Sequence, residues 1–202
     1  MSNANANANF WQDFLSHFKK GVMKPNLYEV VFTLPDGVKL KTNSPVAENG
    51  ISYGTMRGVQ SLMNGTGSIN IKCHTATFPQ RTMQTFEIKQ NTTPFRAPFS
   101  AVYDPVTFSF YSNATGDTRT YFDIWQRAVF NVRSNTMNFY KEFTSDIELY
   151  VHNEAGQRAY GVKLFEAWPI SVGPLDVSYS QSDNYQSVVT TMAYRRWEQL
   201  VF

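Results

Sequence analysis

Phe165-Glu166-Ala167-Trp168-Pro169-Ile170-Ser171-Val172-Gly173-Pro174-Leu175-Asp176-Val177, then Tyr185-Gln186-Ser187-Val188-Val189-Thr190-Thr191-Met192-Ala193-Tyr194-Arg195-Arg196-Trp197-Glu198, is the stretch that decides the architecture. Aromatic and β-branched residues favour strands, and Gly and Pro punctuate them. The pattern predicts a strand running into a Trp168-Pro169 corner and a loop around Gly173. A second strand, a polar turn and a third strand ending at Trp197 follow. The stretch holds no nucleophile with a base, no metal-ligand set and no phosphate loop. Its chemistry points to packing and assembly.

Working outward, 202 residues suffice for one sizeable core. Charged residues are 17%, where about 25% is usual, and aromatics reach 15%. A chain so aromatic and so short of charge exposes apolar surface when alone, so other chains are expected to cover part of it. The net charge of +2 is spread thinly, with no more than two adjacent basic residues, which argues against a dedicated nucleic-acid surface. One cysteine, Cys73, excludes an intrachain disulfide. No run of 18 apolar residues marks a membrane span, and no basic start with an apolar core marks a signal peptide. The expectation is synthesis in the cytoplasm, without membrane contact.

Residues 1–9 form an Asn-Ala repeat. Asn9 with Gln12 makes a capping-box pattern, after which Phe10, Trp11, Phe14, Leu15 and Phe18 fall on one helical face. Gly21 and Pro25 close this helix. Its aromatic face has two readings, packing on its own domain or docking on a neighbouring subunit. Strands are expected over 27–34, 38–41, 69–76 and 85–90. A Pro-containing loop covers 92–97, and a strand over 99–111 is broken at Asp104-Pro105. Residues 42–68 lack a sustained period and read as a long loop. Asp117 is placed as the cap of a helix over 118–130, with Tyr121, Phe122, Trp125, Val129 and Phe130 as its apolar positions. Two further strands, 143–152 and 158–167, join through a turn at 153–156. The sum is a mainly antiparallel β domain with about two helices.

Chemistry finds little support. His17, His74 and His152 sit in different elements without metal-site spacing. Cys73 and His74 are neighbours on a strand and so point to opposite faces. Gly65-Thr66-Gly67-Ser68 lacks the Lys of a phosphate loop. Asn64, Asn91 and Asn113 match the glycosylation pattern in a chain with no signal peptide. No catalytic residue, cofactor or metal is expected, and an enzyme is not the reading.

The ordered motifs resemble the tail tube proteins of contractile-tailed bacteriophages. They are Phe165-Glu-Ala-Trp168-Pro169 with Val172-Gly173, Ala193-Tyr194 with Trp197-Glu198, Lys24-Pro25-Asn26-Leu27-Tyr28, Cys73-His-Thr-Ala-Thr-Phe78-Pro79, and Tyr121-Phe-Asp-Ile-Trp125. Pro25, Trp125, Trp168, Pro169, Gly173 and Trp197 are the structural residues of this pattern. The resemblance implies an antiparallel β-sandwich or barrel-like tail-tube fold with a flanking helix and an N-terminal helix. That fold is shared with baseplate tube-initiator and type VI secretion tube proteins.

It also implies a division into residues 1–24, an arm with an amphipathic helix, and 25–202, one tube-type domain carrying a long loop at about 42–68. The function implied is structural, in a virion tail. Six-membered homomeric rings stack into the conduit for genome ejection. The implied partners are the sheath, the baseplate and tail terminator proteins, and the tape measure protein and genomic DNA in the lumen. Phe10, Trp11, Phe14 and Phe18 are the expected subunit anchors. Three alternatives stay open: a tube initiator of the same fold, a secretion-system or pyocin-like tube of the same fold without a genome, and a small β-barrel enzyme or carbohydrate-binding β module using Trp125 and Trp168 as a sugar platform.

Overall fold

A computed structural model describes residues 14–16, 23–33, 35, 63–64, 68–69, 73–89, 93–132, 134–180 and 185–202. The strands are β1 (Tyr28–Thr33), β2 (Met63–Asn64), β3 (Ser68–Ile69), β4 (Cys73–Ala76), β5 (Arg81–Ile88), β6 (Phe95–Tyr103) and β7 (Val106–Tyr111). Helix α1 (Asp117–Val129) comes next. After it come β8 (Phe130–Asn131), β9 (Thr136–Met137), the short α2 (Tyr140–Phe143), β10 (Ser145–His152), β11 (Arg158–Val172), β12 (Ser187–Ala193) and β13 (Arg196–Leu200). Every pairing is antiparallel. The main sheet runs β2-β3-β1-β10-β11-β12-β7-β4, with β13 on the remaining side of β11. Among the described residues it does not close into a barrel.

The long strand β11 organises this sheet. Its first half lies between β10 and β13, and its second half pairs with β12. The handover falls at Glu166, whose φ of 56° is left-handed and rare for a residue with a side chain. The register of β10 shifts there. Asp146 Oδ1 accepts from the Glu166 N–H at 3.2 Å, and Arg195 Nη1 pairs with the Glu166 carboxylate at 3.0 Å. The bend is therefore held on both sides. This corrects the corner expected at Trp168-Pro169. The strand runs straight through both residues to Val172, and Pro169 is accommodated where the β11–β12 register shifts. No strand forms over 175–179, and the expected final strand is two, β12 and β13, separated at Tyr194–Arg195.

The bend folds one half-sheet over the other, and α1 closes the core. Phe32 of β1 meets Phe108 and Phe110 of β7 at 5.4 Å each and Phe122 of α1 at 6.1 Å, all edge-on. The α1 side chains Tyr121, Phe122, Ile124, Trp125, Ala128 and Val129 are buried on one helical face, as their spacing dictates. Asp117 is not the cap. Gly116 holds that position at φ 71°, and Asn113 Oδ1 accepts from the Asp117 N–H at 2.8 Å. The loop expected over 42–68 contains β2 and the first residue of β3, and the rest of it lies outside the described residues. So do the strand expected over 38–41 and the whole N-terminal helix except Phe14–Ser16, which are helical.

Candidate assembly surfaces

The structural residues of the sequence pattern divide between core and surface. Trp125 is fully buried and its Nε1 donates to the Phe143 carbonyl at 2.6 Å. A ring with no exposed face cannot stack on a sugar, which removes the platform expected from Trp125 and Trp168. Trp168 is half-buried, edge-on to Phe143 at 6.1 Å, and Pro169 beside it is buried. Gly173 donates its N–H to the Val189 carbonyl at 2.6 Å, while its own carbonyl accepts from Arg119. A Cβ at 173 would stand 3.1 Å from that Val189 oxygen. Trp197 is half-buried beneath the Arg81 guanidinium, 5.3 Å from its centroid. Pro25 sits in an exposed turn. Of the four expected anchors, Phe14 is described and is 46% exposed; Phe10, Trp11 and Phe18 lie outside the described residues.

The most conspicuous surface is one the sequence reading missed. β4 pairs with β7 and β5 pairs with β6, and Thr77 N–H donates to the Thr107 carbonyl between them. These four strands form one hairpin with a proline on each leg at the joint, Pro79 and Pro105. Inward of the joint, Val106, Phe108 and Phe110 of β7 are buried. Outward of it, β5 and β6 form a separate two-stranded ribbon, almost wholly exposed, that continues for about 25 Å.

In the distal half of this ribbon the pairs Phe86–Ala97 and Ile88–Phe95 share one face, and Glu87–Arg96 lies on the other. Phe99 stands at the bulge and meets the Phe86 ring at 6.0 Å. Met83, Phe86, Phe95 and Phe99 are each about half exposed. A free two-stranded ribbon is marginal in water, so its apolar face is a docking surface in need of a partner. The signal was present as Phe86/Ile88 and Phe95/Ala97 alternation. Pro94 and Pro98 obscured it by making 92–97 read as loop.

A second apolar surface lies at the end of α1. Phe130, Val132 and Ile170, all exposed, line a groove of about 480 Å³ with Trp168 and Pro169. Phe130 pairs with Met137 across the short β8–β9 ladder.

The outer face of the first half-sheet contrasts with both. Lys163 pairs with Asp146 at 3.1 Å and Glu148 at 3.3 Å, and Glu29 pairs with Arg158 at 3.3 Å. Burial alone would lower the Lys163 ammonium, but the two carboxylates outweigh it and hold it above its ordinary value. Tyr150 donates to Glu148 at 2.6 Å; burial first, then that carboxylate, pushes its phenol up to about 12. The Arg158 guanidinium lies over the Tyr150 ring at 3.8 Å. These charges are satisfied within the chain. Among the described residues no group of three or more His, Cys, Asp or Glu could hold a metal ion, and no helix is long and apolar enough to cross a membrane.

The family model for phage tail tube proteins matches residues 23–200, which takes in every strand above. The chain belongs to the phage tail tube protein family. Family members are structural tube components of phage or phage-like particles. Solved structures share the fold. A chain of an extracellular contractile injection system, from its sheath–tube complex in the extended state, aligns with a TM-score of 0.61 at 12% identity over 93% of this chain and 97% of its own. A chain from the sheath/tube terminator of such a system aligns at 0.58 and 12% over 91% and 99%. A chain from the anti-feeding prophage baseplate, six-fold symmetrised, aligns at 0.57 and 11% over 86% and 92%. No curated protein sequence matches the chain.

Proposed function

We propose that this chain is the repeating subunit of the tail tube of a contractile-tailed phage. Six copies form a ring, and rings stack into the conduit through which the genome leaves. Residues 25–202 act as the tube-type unit. The observation that carries this reading is the β5–β6 ribbon, a projecting element whose apolar face is exposed among the described residues. A free ribbon edge also offers unpaired backbone groups to a neighbouring strand.

Family membership supplies the tube. Six-fold symmetry is supported by the fold shared with a chain of a six-fold symmetrised baseplate. Sheath, baseplate and terminator as partners are supported by the fold shared with chains of the complexes named above. The contact that adds a subunit is heterologous, a ribbon on one copy against a different surface on the next, and such contacts propagate or close into rings.

Electron microscopy of the concentrated protein, with averaging, tests this. Sixfold rings or open-ended tubes are expected. A chain that stays monomeric and also fails to extend an added tube seed contradicts the proposal. Copy number relative to sheath in the particle then separates the tube subunit, present in many rings, from an initiator present in one or two.

A further inference from the structure

Alternation puts Phe86, Ile88, Phe95 and Ala97 on one face of the β5–β6 ribbon, and the Phe99 ring joins them from the bulge. Over residues 82–88 and 95–102 that face carries no charge, because Glu87 and Arg96 lie on the other. The ribbon cannot lay this face on the α1 groove of its own chain. Val106 at its base pairs with Met192, and Met192 pairs with Pro169 of the groove floor. The floor is therefore level with the base and two strand spacings, about 10 Å, from it. The ladder runs unbroken in pairing from Arg81–Tyr103 to Ile88–Phe95. It carries Phe86 ~17 Å and Phe95 ~24 Å beyond the base.

The α1 groove is part of a wider apolar patch. Across the β8–β9 ladder Phe130 brings in Met137, and the Tyr140, Phe143 and Trp168 rings follow one another edge-on at 5.5 and 6.1 Å. Val132, Met137 and Phe139 are 77%, 68% and 81% exposed. Patch and ribbon face each offer several hundred Å² of apolar surface, in the ~300–600 Å² range of functional patches. With a polar rim each approaches the ~800 Å² per partner that a stable interface buries. The charges at the groove suit an aromatic occupant. Asp123 is held by Arg119 at 3.1 Å, while Arg127 has no ion-pair partner among the described residues. A free guanidinium is attracted to the face of an aromatic ring.

We propose that the aromatic face of the β5–β6 ribbon of one copy seats on the α1 groove of the next. This contact rests on the tube reading and names its receiving surface. Every copy carries both halves, so a second copy is a sufficient partner. Donor and acceptor lie at different levels along the strands, so the contact is heterologous and each added copy sits beyond the ribbon tip of the one before.

Two variants of the full chain test it. Phe86→Asp with Phe95→Asp removes the donor and keeps the groove. Val132→Asp with Ile170→Asp removes the groove and keeps the donor. All four positions are exposed, so both variants should melt within a few degrees of the unmodified chain. Each alone should need a ~30-fold or higher concentration to assemble. Mixed where neither associates alone, they should form a one-to-one dimer in analytical ultracentrifugation. A groove variant that assembles as readily as the unmodified chain, or a mixture that stays monomeric, overturns the contact and leaves the tube reading standing. Where a variant loses its fold, cross-linking reads the same contact without new charge. Assembled chains carrying Cys73→Ser, Ser100→Cys and Val132→Cys, treated with a short bis-maleimide, should give dimers and higher multiples on a denaturing gel. Thr75→Cys on β4 in place of Val132→Cys should give none. The reverse pattern, or no interchain product from either, overturns the contact. Failure of the unmodified chain to assemble, with or without a seed, overturns the tube reading itself.

Discussion

The two ends of a single hairpin carry opposite kinds of surface. At the base, β7 buries Val106, Phe108 and Phe110 against Phe32 and Phe122. Beyond Pro79 and Pro105, β5 and β6 present Met83, Phe86, Phe95 and Phe99 to solvent. Backbone, pairing mode and residue types are alike on the two sides of the joint. What differs is the availability of a partner among the described residues of the chain. The base contributes to folding of the monomer, and the tip contributes to association of monomers. Mutations in the two regions should therefore separate stability from assembly.

The largest effect is expected at the base. Phe108→Ala removes a fully buried ring from the aromatic cluster and should cost about 3–5 kcal/mol of unfolding free energy. Denaturant titration reads this, and assembly is lost only because the fold is lost. At the tip, Phe86→Asp with Phe95→Asp should leave the melting temperature within a few degrees of the unmodified chain. The concentration needed to form tubes should rise ~30-fold or more, the effect of losing a hot spot worth about 2 kcal/mol. Light scattering against concentration checks it. If the tip variant melts like the base variant, the comparison breaks.

Alkaline titration sharpens the comparison in a different way. Burial pushes Tyr28, Tyr150 and Tyr194 up to about 12, and Tyr121 is raised further by complete burial. Lys163 is also raised. A raised folded-state value means that the folded chain holds its proton more tightly than the unfolded chain. The stability this confers is complete below about pH 10, near the ordinary tyrosine and lysine values, and falls as pH rises beyond it. These groups lie in the half-sheets, in α1 and at the β12–β13 junction, and none is in the ribbon. The melting temperature should be unaffected by their titration from pH 7 to 9 and fall above pH 10. The smallest effect is expected at the joint. Pro105→Ala frees one exposed backbone position and should cost at most about 1 kcal/mol by thermal melting.

The sequence was legible where one principle dominated. The 3.6-residue spacing of α1 and the alternation in β1, β10 and the first half of β11 gave those elements to within a few residues. It was less legible where two principles competed. Trp168-Pro169 carries the signature of a corner, yet the bend falls at Glu166, because Asp146 and Arg195 stabilise a left-handed residue there that no local pattern marks. Pro94 and Pro98 suggested a loop. In a ribbon with open edges a missing N–H costs little, so β6 begins at Phe95. Phe143, placed in a strand by its neighbours, ends α2, and its carbonyl is bound by Trp125, 18 residues away. The assembly surface followed the same rule. The scarcity of charge announced that apolar surface would be exposed, but which strands stayed uncovered depended on pairing that only the fold determines.

Backbone hydrogen exchange, measured residue by residue on the dispersed chain and on assembled particles, tests the central claim most directly. The account predicts that amides of β7 are protected in both forms. Amides of residues 81–88 and 95–103 should exchange rapidly in the dispersed chain and slow at least tenfold on assembly. Ribbon amides that exchange equally fast in the assembled tube would contradict it, because the element left exposed among the described residues would then be left exposed by its neighbours as well.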